Sequence, residues 1–126
     1  MTSKHFQRLG AGVALAILLL SGTTLHAQSS WTNRYNGPGN GSDVAKAIAV
    51  DSSGNVFVTG YATGSGSGSD YATIKYSGAG VPLWTNRYDV LGHDDKANAI
   101  AVDGTGNVFV TGETSLLSVK CVPLFL

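Results

Sequence analysis

The sequence predicts an all-β repeat protein, because three segments of the 126-residue chain occur twice in the same order. Trp-Thr-Asn-Arg-Tyr at residues 31–35 returns at 84–88, an offset of 53 residues. The other two segments return at an offset of 52, residues 47–51 as 99–103 and residues 54–60 as 106–112. A period of about 50 residues is typical of repeat architectures, in which each unit is one supersecondary element that must stack on its neighbours.

The first copy begins with two predicted strands joined by a tight turn. Residues 45–50 alternate Ile48 and Val50 with alanines, so one face is small, which suits the crowded inner strand of a tapering unit. Residues 51–55 predict a hairpin turn, because Asp and Ser favour turn initiation and Gly accepts positive φ. Residues 56–59 are β-branched and aromatic on both faces, which predicts a central strand covered on two sides.

Two further predicted strands complete the first copy. Residues 64–69 form a Gly/Ser loop, and residues 70–76 alternate between two faces as a third strand does. Residues 77–80 predict another turn, and residues 83–88 form the fourth strand, with Trp84 as a large packing residue. Outside the N-terminal segment, no stretch has helical periodicity with caps.

Four antiparallel strands in about 50 residues match one blade of a β-propeller, which buries both of its faces against neighbouring blades. The combined motif is Ala-Ile-Ala-Val-Asp-x-x-Gly-Asn-Val-Phe-Val-Thr-Gly at residues 47–60, Asp-Tyr-Ala-Thr-Ile-Lys-Tyr-Ser at 70–77 and Gly-x-x-x-Trp at 80–84. It resembles the bacterial secreted β-propeller repeat, or SBBP repeat, and the resemblance extends from residue 31 to about residue 115. The resemblance implies an exported or cell-surface propeller array, often of seven blades, and it supplies no catalytic residues.

The chain encodes only about one and a half to two blades, whereas a closed propeller takes roughly four to eight. We assign residues 28–115 to propeller-type repeats, with the first copy at 31–83 and a partial second copy at 84–115. Residues 31–35 are then an orphan fourth strand whose own blade is missing. Uncovered faces and edges invite pairing with other chains, so we expect self-association or pairing with other propeller repeats rather than a compact monomer.

Residues 116–126 depart from the repeat. They are apolar, they lack Gly and Asp, and they include Cys121, the single cysteine of the chain. We expect this divergent tail to mark a truncated or frameshifted repeat, and a genuine capping strand is the alternative. A single cysteine forms no internal disulfide, and we expect no catalytic role for it.

The first 27 residues have the layout of a secretory signal peptide. Lys4 and Arg8 precede an apolar run at residues 11–20, and Ala27 is a small residue at the cleavage position. The run is short for a bilayer span, so we expect cleavage and export to the cell envelope or outside the cell. An uncleaved N-terminal anchor is the alternative. After cleavage we expect no membrane association.

The charge of the chain argues against a nucleic-acid partner. Beyond residue 27 there are six basic and eight acidic residues, a net charge of −2, with no basic run. Nucleic-acid binding needs a concentrated positive face, which this composition does not provide.

Two equivalent segments place oxygen-bearing side chains at alternate positions, as calcium loops do. A calcium loop needs more carboxylates and a distant bidentate acid, so we predict hairpin turns instead. The side chains concerned are Asp51, Ser53 and Asn55 in the first copy, and Asp103, Thr105 and Asn107 in the second.

The one imidazole beyond residue 27 belongs to His93, and the carboxylates of Asp94 and Asp95 follow it directly in the sequence. A metal site or an acid–base pair would use such groups, but this segment differs between the two copies, and we expect a solvated polar loop. No serine lies in a nucleophile elbow, and the glycines at 64, 66 and 68 precede no helix that would make them a phosphate cradle. Aromatic residues that recur at matching positions predict blade core rather than a sugar or peptide platform; the aromatic candidates are Trp31, Trp84, Tyr61 and Tyr71.

We therefore predict no catalytic residues, no cofactor-binding residues, no metal ligands and no cofactor. The function that the sequence favours is a non-enzymatic exported repeat module with a structural or interaction role at the cell envelope or outside the cell. Two alternatives stay open. The chain is a truncated fragment of a larger propeller gene without independent function, or it is part of a propeller hydrolase or lyase.

Overall fold

A computed structural model of the chain describes residues 30–116 and 122–126, which form two antiparallel sheets without an α-helix. The first sheet has four strands in chain order, and the second has three. The strands are β1 (Asp43–Val50), β2 (Val56–Thr63), β3 (Ser69–Tyr76), β4 (Pro82–Tyr88), β5 (Asp95–Val102), β6 (Val108–Thr114) and β7 (Val122–Phe125). The all-β prediction is confirmed, and each predicted strand of the first copy is present within a few residues of its expected bounds.

The two sheets repeat each other residue by residue. The pairing of β1 with β2 recurs in β5 with β6, including a β-bulge after Ala45 and after Ala97. A glycine faces each bulge, Gly60 in the first sheet and Gly112 in the second. A Cβ atom on either glycine would overlap the carbonyl oxygen of the bulged strand, so the close approach of two backbones requires glycine there.

The core lies between the two sheets. Strand β5, the first strand of the second sheet, lies across β1, β2 and β3 of the first. Five side chains are at most 2% exposed and form one cluster, to which each sheet contributes; they are Phe57, Tyr71, Ala97, Val108 and Val110. The stacking of two β-sheets therefore supplies the burial that neither sheet achieves alone.

Residues 31–35 were predicted as a fourth strand, and that prediction is wrong. This segment is irregular, although its sequence is the same as that of residues 84–88 in β4. A strand needs a partner for its backbone groups. Since no strand among the described residues pairs with this segment, its side chains hold it instead, on the face of the first sheet that lies away from the second.

The last residues of the chain take the place of a third strand in the second sheet. Leu124 pairs with Val110 as Ile74 pairs with Val58 in the first sheet. This part of the predicted divergent tail therefore continues the sheet of the second copy. The predicted signal peptide and Cys121 lie outside the described residues.

Candidate interaction surfaces

Equivalent residues of the two copies differ in burial according to whether a sheet covers them. Phe57 is 0% exposed beneath the second sheet, whereas Phe109 at the same position of the second copy is 44% exposed. On the other side, Ile48 is 66% exposed, whereas Ile100 packs against the core between the sheets. The same sequence therefore leaves one apolar face open at each side of the two-sheet stack.

The Phe109 face is the open side of the second sheet. It consists of small and aromatic residues from all three strands, and the Phe109 and Phe125 rings meet edge to face with centroids 5.2 Å apart. The residues of this face are Ala99, Ala101, Phe109, Pro123 and Phe125. Contiguous exposed apolar surface of this kind marks a site of interaction with another chain or ligand.

The Ile48 face is the side of the first sheet that lies away from the second sheet, and it is open at Ile48 and Val50. We define it by Ile48, Val50, Val58, Ile74 and Tyr76, which cross-strand pairing places on one side.

The segment 31–35 covers part of the Ile48 face. The Trp31 ring lies 5.5 Å from the ring of Tyr76, and its Nε1 donates a hydrogen bond of 3.1 Å to the carbonyl of Gly78. Asn33 Nδ2 donates to the carbonyl of Gly80 at 2.6 Å. Ile48 and Val50 stay outside this cover and are mostly exposed.

A charged network at one end of the first sheet also holds the segment. Arg87 donates to the Asp70 carboxylate and, over 3.1 Å, to the Tyr35 hydroxyl. Burial of the guanidinium favours a lower pKa, but the bonds to Tyr35 and Asp70 outweigh it and raise the pKa of Arg87. The sequence alone does not predict this network, because only the β3–β4 pairing brings Asp70 and Arg87 together.

The two segments with oxygen-bearing side chains at alternate positions, 51–55 and 103–107, are hairpin turns, as predicted. Asp51 Oδ1 accepts from the backbone N–H groups of Ser53 and Asn55, each at 2.9 Å, and Asp51 Oδ2 accepts from the Asn55 amide at 2.8 Å. Asp103 makes the same bonds in the second copy, with Thr105 and Asn107 as donors. The pKa of Asp103 is held well below its ordinary value. The largest cause is the hydrogen bond that the Asn107 side-chain amide donates, and the second is the hydrogen bond that the Thr105 hydroxyl donates.

The prediction of a solvated loop at residues 93–95 is correct for His93 and wrong for Asp95. His93 is exposed, whereas Asp95 is 0% exposed and accepts from the Val90 N–H at 2.6 Å. Asp43, its equivalent, accepts from Gly37 N–H at 3.0 Å, so this aspartate anchors the incoming loop in both copies. Asp94 links the sheets by accepting from the Ser69 N–H at 2.8 Å.

The aromatic candidates mostly belong to the packing of the sheets. Tyr71 is 1% exposed, and the Trp84 ring meets Phe57 at 6.0 Å between centroids. Tyr61 lies beside Lys46 and Lys96, whose ammonium groups are 5.7 and 5.6 Å from the ring centroid. Trp31 keeps 36% of its surface exposed. The described residues contain no cluster of three or more His, Cys, Asp or Glu side chains arranged to hold a metal ion.

Two stacked sheets built from one repeated unit, with further apolar faces open, define a propeller-type repeat protein. A profile of the beta-propeller repeat family matches residues 31–67 and 84–115, which is more than half of the chain. The chain therefore belongs to this family, the SBBP repeats, as its motifs predicted. No curated protein matches the chain. Among residues 30–116 and 122–126, no helix is long and apolar enough to cross a membrane.

Proposed function

We propose that the chain is an exported, non-enzymatic repeat module with a structural or interaction role at the cell envelope or outside the cell. The observation that carries the interaction role is the pair of open apolar faces, the Ile48 face and the Phe109 face. Phe57 is buried whereas its equivalent Phe109 is exposed, and Ile100 and Val102 are partly buried whereas their equivalents Ile48 and Val50 are mostly exposed. Apolar residues repeated at positions that need cover are typical of a surface for another polypeptide.

The non-enzymatic part of the proposal is supported by how the polar side chains are used. His93, the one imidazole beyond residue 27, is exposed in a loop, and Asp94 and Asp95 accept backbone hydrogen bonds. Asp51 and Asp103 are committed to their turns. A general acid–base site needs such groups to converge on a substrate, and these groups stabilise loops instead.

Export is supported by the basic start, the apolar run at residues 11–20 and Ala27. The test is to express the full chain in a bacterial host, to separate the cytoplasm from the envelope and medium, and to measure the intact mass. We expect a chain that begins at Gln28 in the envelope or the medium. Leu18→Arg places a charge in the apolar run and is expected to leave an uncleaved chain in the cytoplasm.

Leu18→Ile is the matched control, since it keeps the run apolar and is expected to be cleaved and exported like the wild type. An uncleaved wild-type chain in the cytoplasm would contradict export. An uncleaved chain held in the membrane would contradict cleavage and support the N-terminal anchor instead.

A further inference from the structure

We propose that the two open faces bind each other between copies of this chain, so that the Phe109 face of one copy covers the Ile48 face of the next. In this contact, residues 31–35 of the second copy become the fourth strand of the first copy's second sheet. The proposal names the partner of the interaction surfaces and so rests on the proposed interaction role, but it does not depend on export.

An equivalent contact already exists once inside the chain. The face of the first sheet that contains Phe57 packs against the face of the second sheet that contains Ile100 and Val102. The open faces present the same residue types at the same register positions, Phe109 on one side and Ile48 and Val50 on the other. A second copy stacked head to tail would therefore repeat a contact that the equivalent residues Phe57, Ile100 and Val102 make inside the chain.

The described part of the second sheet lacks a fourth strand, and residues 31–35 have the sequence of that strand. The described part of that sheet ends at β7, and no described strand pairs with its outer edge. In the first sheet that place belongs to β4, whose residues 84–88 are the same as residues 31–35. Within the described residues, the second sheet thus has an unpaired edge, and the segment with the matching sequence pairs with no strand on the opposite side of the stack.

Residues 31–35 already lie over the first sheet as β4 lies over the second. Trp84 of β4 lines a cavity with Val108 and Leu126 of the second sheet. Trp31 lies against Tyr76 of the first sheet, and Tyr76 is the register equivalent of Leu126. The segment therefore occupies over the first sheet the place that β4 occupies over the second, which is where a preceding sheet would bring its own fourth strand.

The register of β3 with β4 fixes the expected contacts. Lys75 pairs with Trp84 and Ile74 with Thr85, so Trp31 would lie opposite Phe125 of the other copy, and Thr32 opposite Leu124. Trp31 would then lie on the Phe109 face of that copy.

The backbone of β7 also suits an added strand. Leu126 exchanges two hydrogen bonds with Val108, so the backbone groups of Phe125 and Pro123 point to the free edge. Pro123 has no N–H to donate, so one ladder bond is missing there. The proline weakens pairing with unrelated strands and leaves the apolar faces as the main source of affinity.

The contact is heterologous, because each copy uses a different face, and such contacts form rings when the rotation closes. The described residues of each chain contribute two sheets, and propellers contain about four to eight. A closed ring of this chain therefore contains about two to four copies.

The test uses two single substitutions that each destroy one face. Ile48→Asp and Phe109→Asp place a charge at exposed positions, so neither disturbs the core between the sheets. By sedimentation velocity, the wild-type chain is expected at the mass of two to four copies and each variant at the mass of one. A one-to-one mixture of the variants is expected to form a dimer and nothing larger, because each variant keeps the face that the other lacks.

A wild-type chain that stays monomeric at about 100 μM would overturn the proposal. It is also overturned if one variant alone still dimerises, because the contact then joins two identical faces. Circular dichroism of each variant checks that the sheets remain folded. The export assay is expected to give the wild-type result for both variants, so failure of assembly and failure of export are distinguishable.

A disulfide measurement tests the register without disturbing either face by a charge. In a Cys121→Ser background, chains with Thr32→Cys and chains with Leu124→Cys are mixed and oxidised. We expect a covalent dimer that contains one chain of each kind. Ser53→Cys, in an exposed turn outside the proposed contact, replaces Thr32→Cys as the control and is expected to give none. Equal yields from both mixtures would contradict the added strand.

Discussion

At the scale of single residues, the repeat motif Val-Thr-Gly is explained by the β-bulge beside it. Gly60 and Gly112 each face a bulged strand whose carbonyl oxygen occupies the space that a side chain would need. In contrast, a Cβ on Gly104 would meet nothing within 4 Å. The glycine of this motif is therefore required by the close approach of two backbones and not by a flexible turn.

Gly60→Ala is expected to destabilise the chain by about 1–3 kcal/mol, because the added methyl group must displace backbone. Gly104→Ala is the control and is expected to change the free energy of unfolding by less than about 0.5 kcal/mol. Urea unfolding followed by circular dichroism measures both. Equal effects of the two substitutions would contradict the close approach at Gly60.

The turn aspartates predict how stability depends on acid. The bonds from Asn55 to Asp51, and from Asn107 and Thr105 to Asp103, lower the pKa of each carboxyl in the folded chain. A folded-state pKa below the unfolded value of about 4 gives stability that is fully present above that value. This stability is lost as the pH falls through the folded-state pKa.

The variant Asp51→Ala, Asp103→Ala is therefore expected to have a lower urea midpoint than the wild type at pH 7. The difference is expected to shrink steadily as the pH falls below about 4. Ser52→Ala, in the same turn as Asp51, is the control and is expected to keep the wild-type profile. A difference between variant and wild type that stays constant down to pH 2 would show that the carboxylate bonds are not its cause.

At the scale of elements, the network of Arg87, Asp70 and Tyr35 joins β3, β4 and the segment 31–35. Asp70 has a 6% exposed side chain, so removing the guanidinium leaves a buried carboxylate without its cation. Arg87→Met is expected to cost about 1–3 kcal/mol. Arg34→Met, the same change at the equivalent and exposed position, is expected to cost less than about 0.5 kcal/mol.

The double variant Arg87→Met, Asp70→Asn separates the charge pair from the packing of the arginine stem. We expect it to be more stable than the sum of the two single effects predicts, because the second change removes the stranded charge. Thermal unfolding of the wild type, Arg87→Met, Asp70→Asn and the double variant provides the coupling energy between the two residues. Additive effects would show that Arg87 stabilises the chain through packing alone.

Most of the elements could be predicted from the sequence, because their signals are local. Residues 45–50, 56–59 and 70–76 show strand patterns by themselves, and the Asp-to-Asn turns close with bonds inside five residues. The strand prediction for residues 31–35 was wrong because these five residues form a strand only when a neighbouring strand is present. Likewise, the place of residues 122–126 in the second sheet depends on β6 and not on a likeness to the third strand of the first copy.

At the scale of the whole molecule, the repeat explains which surfaces are buried and which are open. The sequence showed that residues such as Ile48 and Ile100 are equivalent, and therefore that both need cover. It did not show which copy would have cover, because that depends on how many sheets stack and on which side each one lies. The burial of Asp70 and Asp95 was not predicted for the same reason, since it depends on loops and strands that are distant in sequence.

The most direct test of the stacked pair of sheets compares one alanine in its two copies. Ala97 is 0% exposed beneath the first sheet, whereas the equivalent Ala45 is exposed on the open side. In a Cys121→Ser background, Ala97→Cys and Ala45→Cys are each labelled with a thiol reagent at a concentration low enough to keep the chain monomeric. We expect the cysteine at position 97 to react at least about tenfold more slowly, because it reacts only when the sheets separate. Equal labelling rates at the two positions would show that the sheets do not stack and would contradict the account.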